Sequence, residues 1–193
     1  FTVTGGSPPL DVSNRTFVVI KNAVFTTPTS GSYLMNSNNG TCTFVNCTFS
    51  KGGSSATGVD SGLGTSHYKG CTFNSIGWAT YYGSFEECTF NSAPGWAIDV
   101  QAYRYVHYVI SCRFYQCVTG GVRLPANGQL AVIHGNTFYD CGIGIQVSDA
   151  STLVNISGNL FSENTNSIDI TTSNANVFAY KNGFYNTGTQ DSS

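Results

Sequence analysis

Short runs of alternating hydrophobic and polar positions recur along the chain, each too short for a helix. Val18 and Ile20, Cys42 and Phe44, Ala131 and Ile133, and Val154 and Ile156 are apolar residues two apart with polar neighbours between them. A second alternation runs through Trp96-Ala97-Ile98-Asp99-Val100, Val122-Arg123-Leu124, Ile143-Gly144-Ile145-Gln146-Val147 and Ile168-Asp169-Ile170. A period of two places one face of each run inward and predicts strands of four or five residues, bounded by Gly, Asn and Ser turns.

Between the two alternations stands a phrase that ends in Phe. It occurs as Asn22-Ala23-Val24-Phe25, Asn46-Cys47-Thr48-Phe49, Gly70-Cys71-Thr72-Phe73, Glu87-Cys88-Thr89-Phe90 and Ser111-Cys112-Arg113-Phe114. It continues as Gly135-Asn136-Thr137-Phe138, Gly158-Asn159-Leu160-Phe161 and Lys181-Asn182-Gly183-Phe184. Successive Phe residues are separated by 24, 24, 17, 24, 24, 23 and 23 positions, so one repeat is shortened. The period is too short for helix-pair repeats, and no leucine-rich phrase occurs. Strands this short gain stability by pairing with their own copies one repeat away, which stacks the chain into a parallel β-helix of about eight coils. At about 4.8 Å per coil the stack is roughly 40 Å tall, and the Phe rings form one internal column. The predicted organisation is a single all-β solenoid domain over 1–193: an extension or cap at 1–16, coils over 17–186 and a tail at 187–193.

Composition narrows the surface and the partners. Charged residues make up only 9% of the chain and the net charge is -2. Ser, Thr, Asn and Gly therefore supply the polar surface, an extracellular character, and no basic cluster exists to attract a nucleic-acid backbone. No apolar run approaches the ~20 residues that a membrane-spanning helix needs. The chain begins at Phe1 with no signal peptide, which reads as a processed or trimmed start, natural or not. Seven cysteines suggest an oxidising compartment, and their spacing, with three scattered histidines, predicts no metal site and no cofactor.

The phrases at 135–138 and 158–161, followed by Cys-Gly-Ile-Gly-Ile at 141–145 and Asn-Ser-Ile-Asp-Ile at 166–170, resemble the parallel β-helix repeat of the pectate-lyase-like superfamily. That superfamily includes polygalacturonases, pectin methylesterases, phage tailspikes and surface adhesins. The resemblance covers nearly the whole chain and, with the crossover preference, implies a right-handed coil. It implies a fold more than an activity, because one superfold hosts enzymes and inert shafts alike.

Two positions before each Phe, Cys47, Cys71, Cys88 and Cys112 give way to Asn136, Asn159 and Asn182. An Asn column in a turn can take left-handed backbone angles and link its amides from coil to coil, whereas Cys is a small semi-polar filler. Cys117 and Cys141, each three residues after a Phe, fall in adjacent coils. Bridged cysteines and stacked thiols are both compatible with that spacing.

Candidate chemistry gathers in one stretch. The superfamily's glycosidases carry an Asn-Thr-Asp strand, an Asp-Asp pair, a Gly-His-Gly loop and an Arg-Ile-Lys triplet, and none is intact here; the nearest fragments are Asn136-Thr137-Phe138 and Ile133-His134-Gly135. Asp99 and Arg123 align on the outer face of adjacent coils, with Tyr103, Arg104 and His107 in the loop between them. Read for function, Asp99, Arg123 and His107 are the catalytic candidates; read for structure, Asp99 and Arg123 are an ion pair on a solvated sheet. Asp169 lies two coils beyond Arg123, about 14 Å from Asp99, too wide for a pair of glycosidase carboxylates. Lys69 over Glu86 reads as a second cross-coil pair. Trp78 and Trp96, with Tyr103 and Arg104, are the glycan-contact candidates, and Tyr81, Tyr82, Tyr105 and Tyr108 enrich the same stretch. Asn-x-Ser/Thr sequons begin at Asn14, Asn39, Asn46 and Asn155, and Asn155 is best placed to carry a glycan because it alternates outward between Val154 and Ile156.

These features together predict a non-catalytic extracellular structural or adhesive glycoprotein module, such as a viral spike or fibre or a cell-surface filament subunit. Its expected partners are other copies of itself and polysaccharide. The alternative is a polysaccharide lyase or glycoside hydrolase of the β-helix superfamily.

Overall fold

The structure is a computed structural model that describes residues 2–3, 10–27, 35–36, 40–51, 59, 65–76, 83–100, 106–125, 130–149, 152–172 and 176–186. It is a parallel β-helix, as the repeat predicts. Among the described residues, three stacked sheets carry the coils. Sheet A has eight strands and contains Val18–Lys21, Thr41–Val45, Thr65–Lys69, Gly83–Glu86, Val106–Ile110, Leu130–His134, Leu153–Ser157 and Asn176–Tyr180. Sheet B has nine and contains the Phe strands, from Val24–Thr27 to Gly183–Tyr185, together with Thr2–Val3. Sheet C has four: Trp96–Asp99, Gly120–Leu124, Ile143–Val147 and Asn166–Ile170. Leu10–Asp11 pairs with Met35–Asn36 as a fourth, two-stranded sheet.

Among the described residues, every pairing is parallel and in the register of the repeat. Thr48 opposes Thr72 and Phe49 opposes Phe73, Phe114 opposes Phe138, and Ile145 lies between Val122 and Ile168. Thr2 and Val3 pair with Val24 and Phe25, so hydrogen bonding between coils reaches into the segment expected as an extension. The tail expected over 187–193 lies outside the described residues.

The Phe column is continuous. Phe25, Phe49, Phe73, Phe90, Phe114, Phe138, Phe161 and Phe184 stack with centroids 4.6 to 5.3 Å apart and ring planes within 11° of parallel. Phe44, Tyr68 and Phe85 form a second stack from sheet A and meet the first edge to face. Stacking at this offset spacing adds favourable ring–ring energy to the burial of each aromatic. Beyond Phe85, sheet A contributes Val109, Ile133 and Ile156 to the core, all buried. Where sheet B turns into sheet C the wall must be thin: a Cβ on Gly144 would lie 2.7 Å from the Phe161 ring and 2.5 Å from the Ser167 carbonyl oxygen. Only glycine lets strand and ring approach that closely.

The corner between sheets A and B is built the same way in every coil. The first corner residue, among them Asn46, Glu87, Ser111 and Lys181, has φ between 53 and 67°, in the left-handed region. The next residue points inward, and it is this second position that carries the Cys and Asn column. The sequence places the left-handed angle on the Asn column itself, whereas the structure places it one residue earlier. A side chain can enter the core only after the backbone has bent, so the bend and the ladder occupy successive residues.

Asn136, Asn159 and Asn182 form an amide ladder. Asn136 Nδ2 and its backbone N–H both donate to Asn159 Oδ1, each at 2.9 Å, and Asn159 repeats the pattern to Asn182 Oδ1 at 3.1 and 3.0 Å. Each Nδ2 also donates to a sheet A carbonyl of the preceding coil: Val109 at 2.8 Å, Ile133 at 2.9 Å and Ile156 at 3.0 Å. Cysteine thiols make the weaker equivalents, Cys47 Sγ to the Ile20 carbonyl oxygen and Cys71 Sγ to that of Phe44, both at 3.6 Å. The second corner has its own column, Cys117, Cys141 and then Asn164, whose Oδ1 accepts from Cys141 N–H at 2.9 Å and whose Nδ2 donates to the Phe138 carbonyl at 3.0 Å. The same switch from thiol to amide thus occurs twice.

Candidate functional site

The alternation in Trp96–Asp99 and Gly120–Leu124 turns Ile98, Val122 and Leu124 into the core and directs Asp99 and Arg123 to the other face of sheet C. Asp99 opposes Arg123, and beyond them Gln146 opposes Asp169, giving one polar column across four strands. Arg123 donates from Nε to Asp99 Oδ1 at 2.9 Å and from the terminal NH2 to Asp99 Oδ2. Gln146 Nε2 donates to Asp169 Oδ2 at 2.8 Å.

The register of the Asp99–Arg123 pair follows the sequence, but its environment does not. The Asp99 side chain has 0% exposure and that of Arg123 29%, so the pair is buried on the carboxylate side and is no ion pair on a solvated sheet. Trp96 lies against the Arg123 end of the pair. It is 6% exposed, it lies across Gly120, where a Cβ would come within 2.2 Å of the indole, and its ring centre is 5.7 Å from the Arg123 guanidinium carbon. Guanidinium against an indole face is a favourable cation–π arrangement, and a two-point fork to a carboxylate is the strongest form of ion pair. Of the glycan-contact candidates, Trp96 is therefore interior. Trp78, Tyr103 and Arg104 lie outside the described residues, as do Tyr81, Tyr82 and Tyr105.

The structure separates His107 from this pair. His107 is not in a loop but in the sheet A strand Val106–Ile110, on the inward side and 2% exposed, between Gly83 and Ala131. Its Nδ1 lies 3.2 Å from the Gly83 carbonyl oxygen, and Nε2 has no partner among the described residues. Burial holds its pKa below the ordinary imidazole value, with the Gly83 contact opposing. Asp99 and Arg123 face away from the core and His107 faces into it, so the three catalytic candidates do not converge.

All seven cysteines are buried free thiols, Cys117 and Cys141 included. Contact with the Cys141 thiol and then burial raise the Cys117 pKa, and contact with Cys88 and then burial raise that of Cys71. The same contact lowers the pKa of Cys141, against its burial.

The sequons occupy different settings. Asn14 is exposed with φ 56°, Asn46 is an exposed corner residue, and Asn39 lies outside the described residues. Asn155 alternates outward between buried Val154 and Ile156, and its Nδ2 donates to Tyr180 Oη at 3.4 Å. Ser157 of the same sequon is 5% exposed and its Oγ lies 3.1 Å from His134 Nδ1.

Sequence reasoning missed a groove of about 430 Å³ on the outer face of sheet A. Thr43, His67 and Ser84 are successive residues of one outward column, and Tyr108 follows because Phe85 opposes Val109 in the next pairing. Ser84 is the small member, flanked by an imidazole and a phenol ring, and the notch is its absent bulk. Along one side runs the Lys69–Glu86 ion pair, Nζ to Oε1 at 2.9 Å with both side chains half exposed. The Glu86 carboxylate raises the Lys69 pKa. Small-among-large in an outward column was the available signal, legible only once the register was fixed.

A family model described as a right handed beta helix region matches residues 80–184. The chain belongs to that family, and its stacked parallel sheets agree with it. Neither the curated proteins nor the solved structures compared with the chain yielded a match.

Proposed function

We propose that the chain is a non-catalytic structural or adhesive module of an extracellular rod, such as a virion spike or fibre or a cell-surface filament, that works by self-association and by contact with glycans. The observation that carries this reading is the state of Asp99. Both of its oxygens are engaged by Arg123 and its side chain is fully buried, so the carboxylate in the candidate cluster is committed to holding two coils together. His107, the candidate proton carrier, contributes to the core instead.

Self-association is supported by the coil at 176–186. Phe184 continues the ring column but is 38% exposed, against at most 2% for the seven Phe residues stacked beneath it, and Phe178 and Tyr185 of the same coil are exposed as well. Apolar side chains exposed on one coil favour packing against another chain.

The test is light scattering and negative-stain microscopy over a concentration series, with reducing-sugar and unsaturated-product assays on acidic polysaccharides run alongside. Trimers or rods without product support the proposal. Monomers at high concentration, or product formation lost in Arg123→Ala, would overturn it in favour of a β-helix lyase or hydrolase.

A further inference from the structure

We propose that the groove on the outer face of sheet A is a binding site for one pyranose ring of a neutral glycan, with Tyr108 as its stacking platform and the Lys69–Glu86 pair as its hydroxyl reader. This rests on the adhesive reading above and names the ligand class and the place.

The groove, at about 430 Å³, has the size of a small-ligand site. Its floor strands are interior strands of sheet A, paired on both sides, so no row of free backbone groups is offered and an extended peptide could not dock by strand addition. Recognition falls to side chains. Tyr108 is 43% exposed and its phenol ring flanks the space over Ser84, a flat apolar surface of the kind that receives the C–H face of a sugar. On the polar side, Lys69 spends one of three ammonium protons on Glu86, and the Glu86 carboxylate keeps lone pairs to spare. An ammonium donor beside a carboxylate acceptor matches two neighbouring hydroxyls, one accepting and one donating. The pair is neutral as a unit, and Glu87 follows in sequence, so an acidic sugar gains no net attraction.

The experiment is ¹⁵N-edited NMR titration of the full chain with cellobiose, maltose, lactose and galacturonic acid. The expected result is saturable shifts at the amides of 83–86 and 106–110 with at least one neutral disaccharide, a dissociation constant on the order of 1 mM, and little response to galacturonic acid. Tyr108→Ala and Ser84→Tyr, the second filling the notch while keeping a strand-compatible residue, each weaken binding about tenfold or more. Tyr139→Ala, on sheet B, leaves it unchanged. No saturable shift with any neutral sugar, tighter binding of the acid, or full binding by Ser84→Tyr overturns the proposal. A chain that assembles but binds no sugar loses the groove and keeps the structural reading, whereas a monomer that binds sugar keeps the groove and loses self-association.

Discussion

The guanidinium of Arg123 grips both carboxylate oxygens of Asp99 in the preceding coil, and Trp96 lies beside the grip. Because Asp99 is wholly buried, removal of Arg123 takes the ion-pair partner from a carboxylate held away from water. Arg123→Ala is expected to cost about 3 kcal/mol or somewhat more in urea unfolding, whereas the Asp99→Asn/Arg123→Gln double variant costs less than Arg123→Ala alone. A loss under about 1 kcal/mol for Arg123→Ala would place the pair in the class of exposed ion pairs.

Asn159 takes part in more hydrogen bonds than any cysteine at the equivalent place. Its side chain accepts from both Asn136 nitrogens and donates to the Ile133 carbonyl and to Asn182. Asn159→Ala strips partners from buried amides in two coils, and a loss of about 2–3 kcal/mol is expected. Cys88→Ala, which gives up a thiol with weak bonds at 3.3 and 3.4 Å, should cost clearly less. Equal losses would show that the amide column is a filler and no ladder.

His107 gives the fold a dependence on pH. Its folded pKa is depressed by burial, so the unfolded chain takes up a proton near pH 6.5 while the folded chain resists. Stability is then fully present above about pH 6.5 and falls as the pH drops below it, because the unfolded state binds more protons. Urea midpoints measured from pH 8 to pH 5 should decline over the lower half of that range, and His107→Leu should flatten the decline. The same slope in the variant would assign it elsewhere.

The thiol columns predict a labelling pattern. All seven cysteines are buried and free, so alkylation of the native protein is slow, and unfolding without reductant releases seven labels by intact mass. Five labels would mean one disulfide, and peptide mapping would show whether Cys117 and Cys141 form it.

The repeat was legible because a solenoid is translational. Once Phe49, Phe73 and Phe114 are recognised as copies, the register of Asp99 on Arg123 and of Lys69 on Glu86 follows by counting, and both pairs form. The shortened repeat was visible in the same count. The second amide position, Asn164 above Cys141, was equally present in the spacing, but only the hydrogen bonds gave it meaning.

What the sequence determined by itself is therefore everything that depends on alternation and period: strands, their parallel stacking, the Phe column and the residues that face one another between coils. Burial of an outward residue does not follow from period. Asp99 and Asp169 hold equivalent positions in sheet C, yet Asp99 is fully buried in its pair with Arg123, while Asp169 is only half-buried against Gln146. The groove at Ser84 likewise exists only because neighbours of unequal size meet across coils. Those outcomes depend on side-chain volume and on what packs against each face, and three dimensions were needed to decide them.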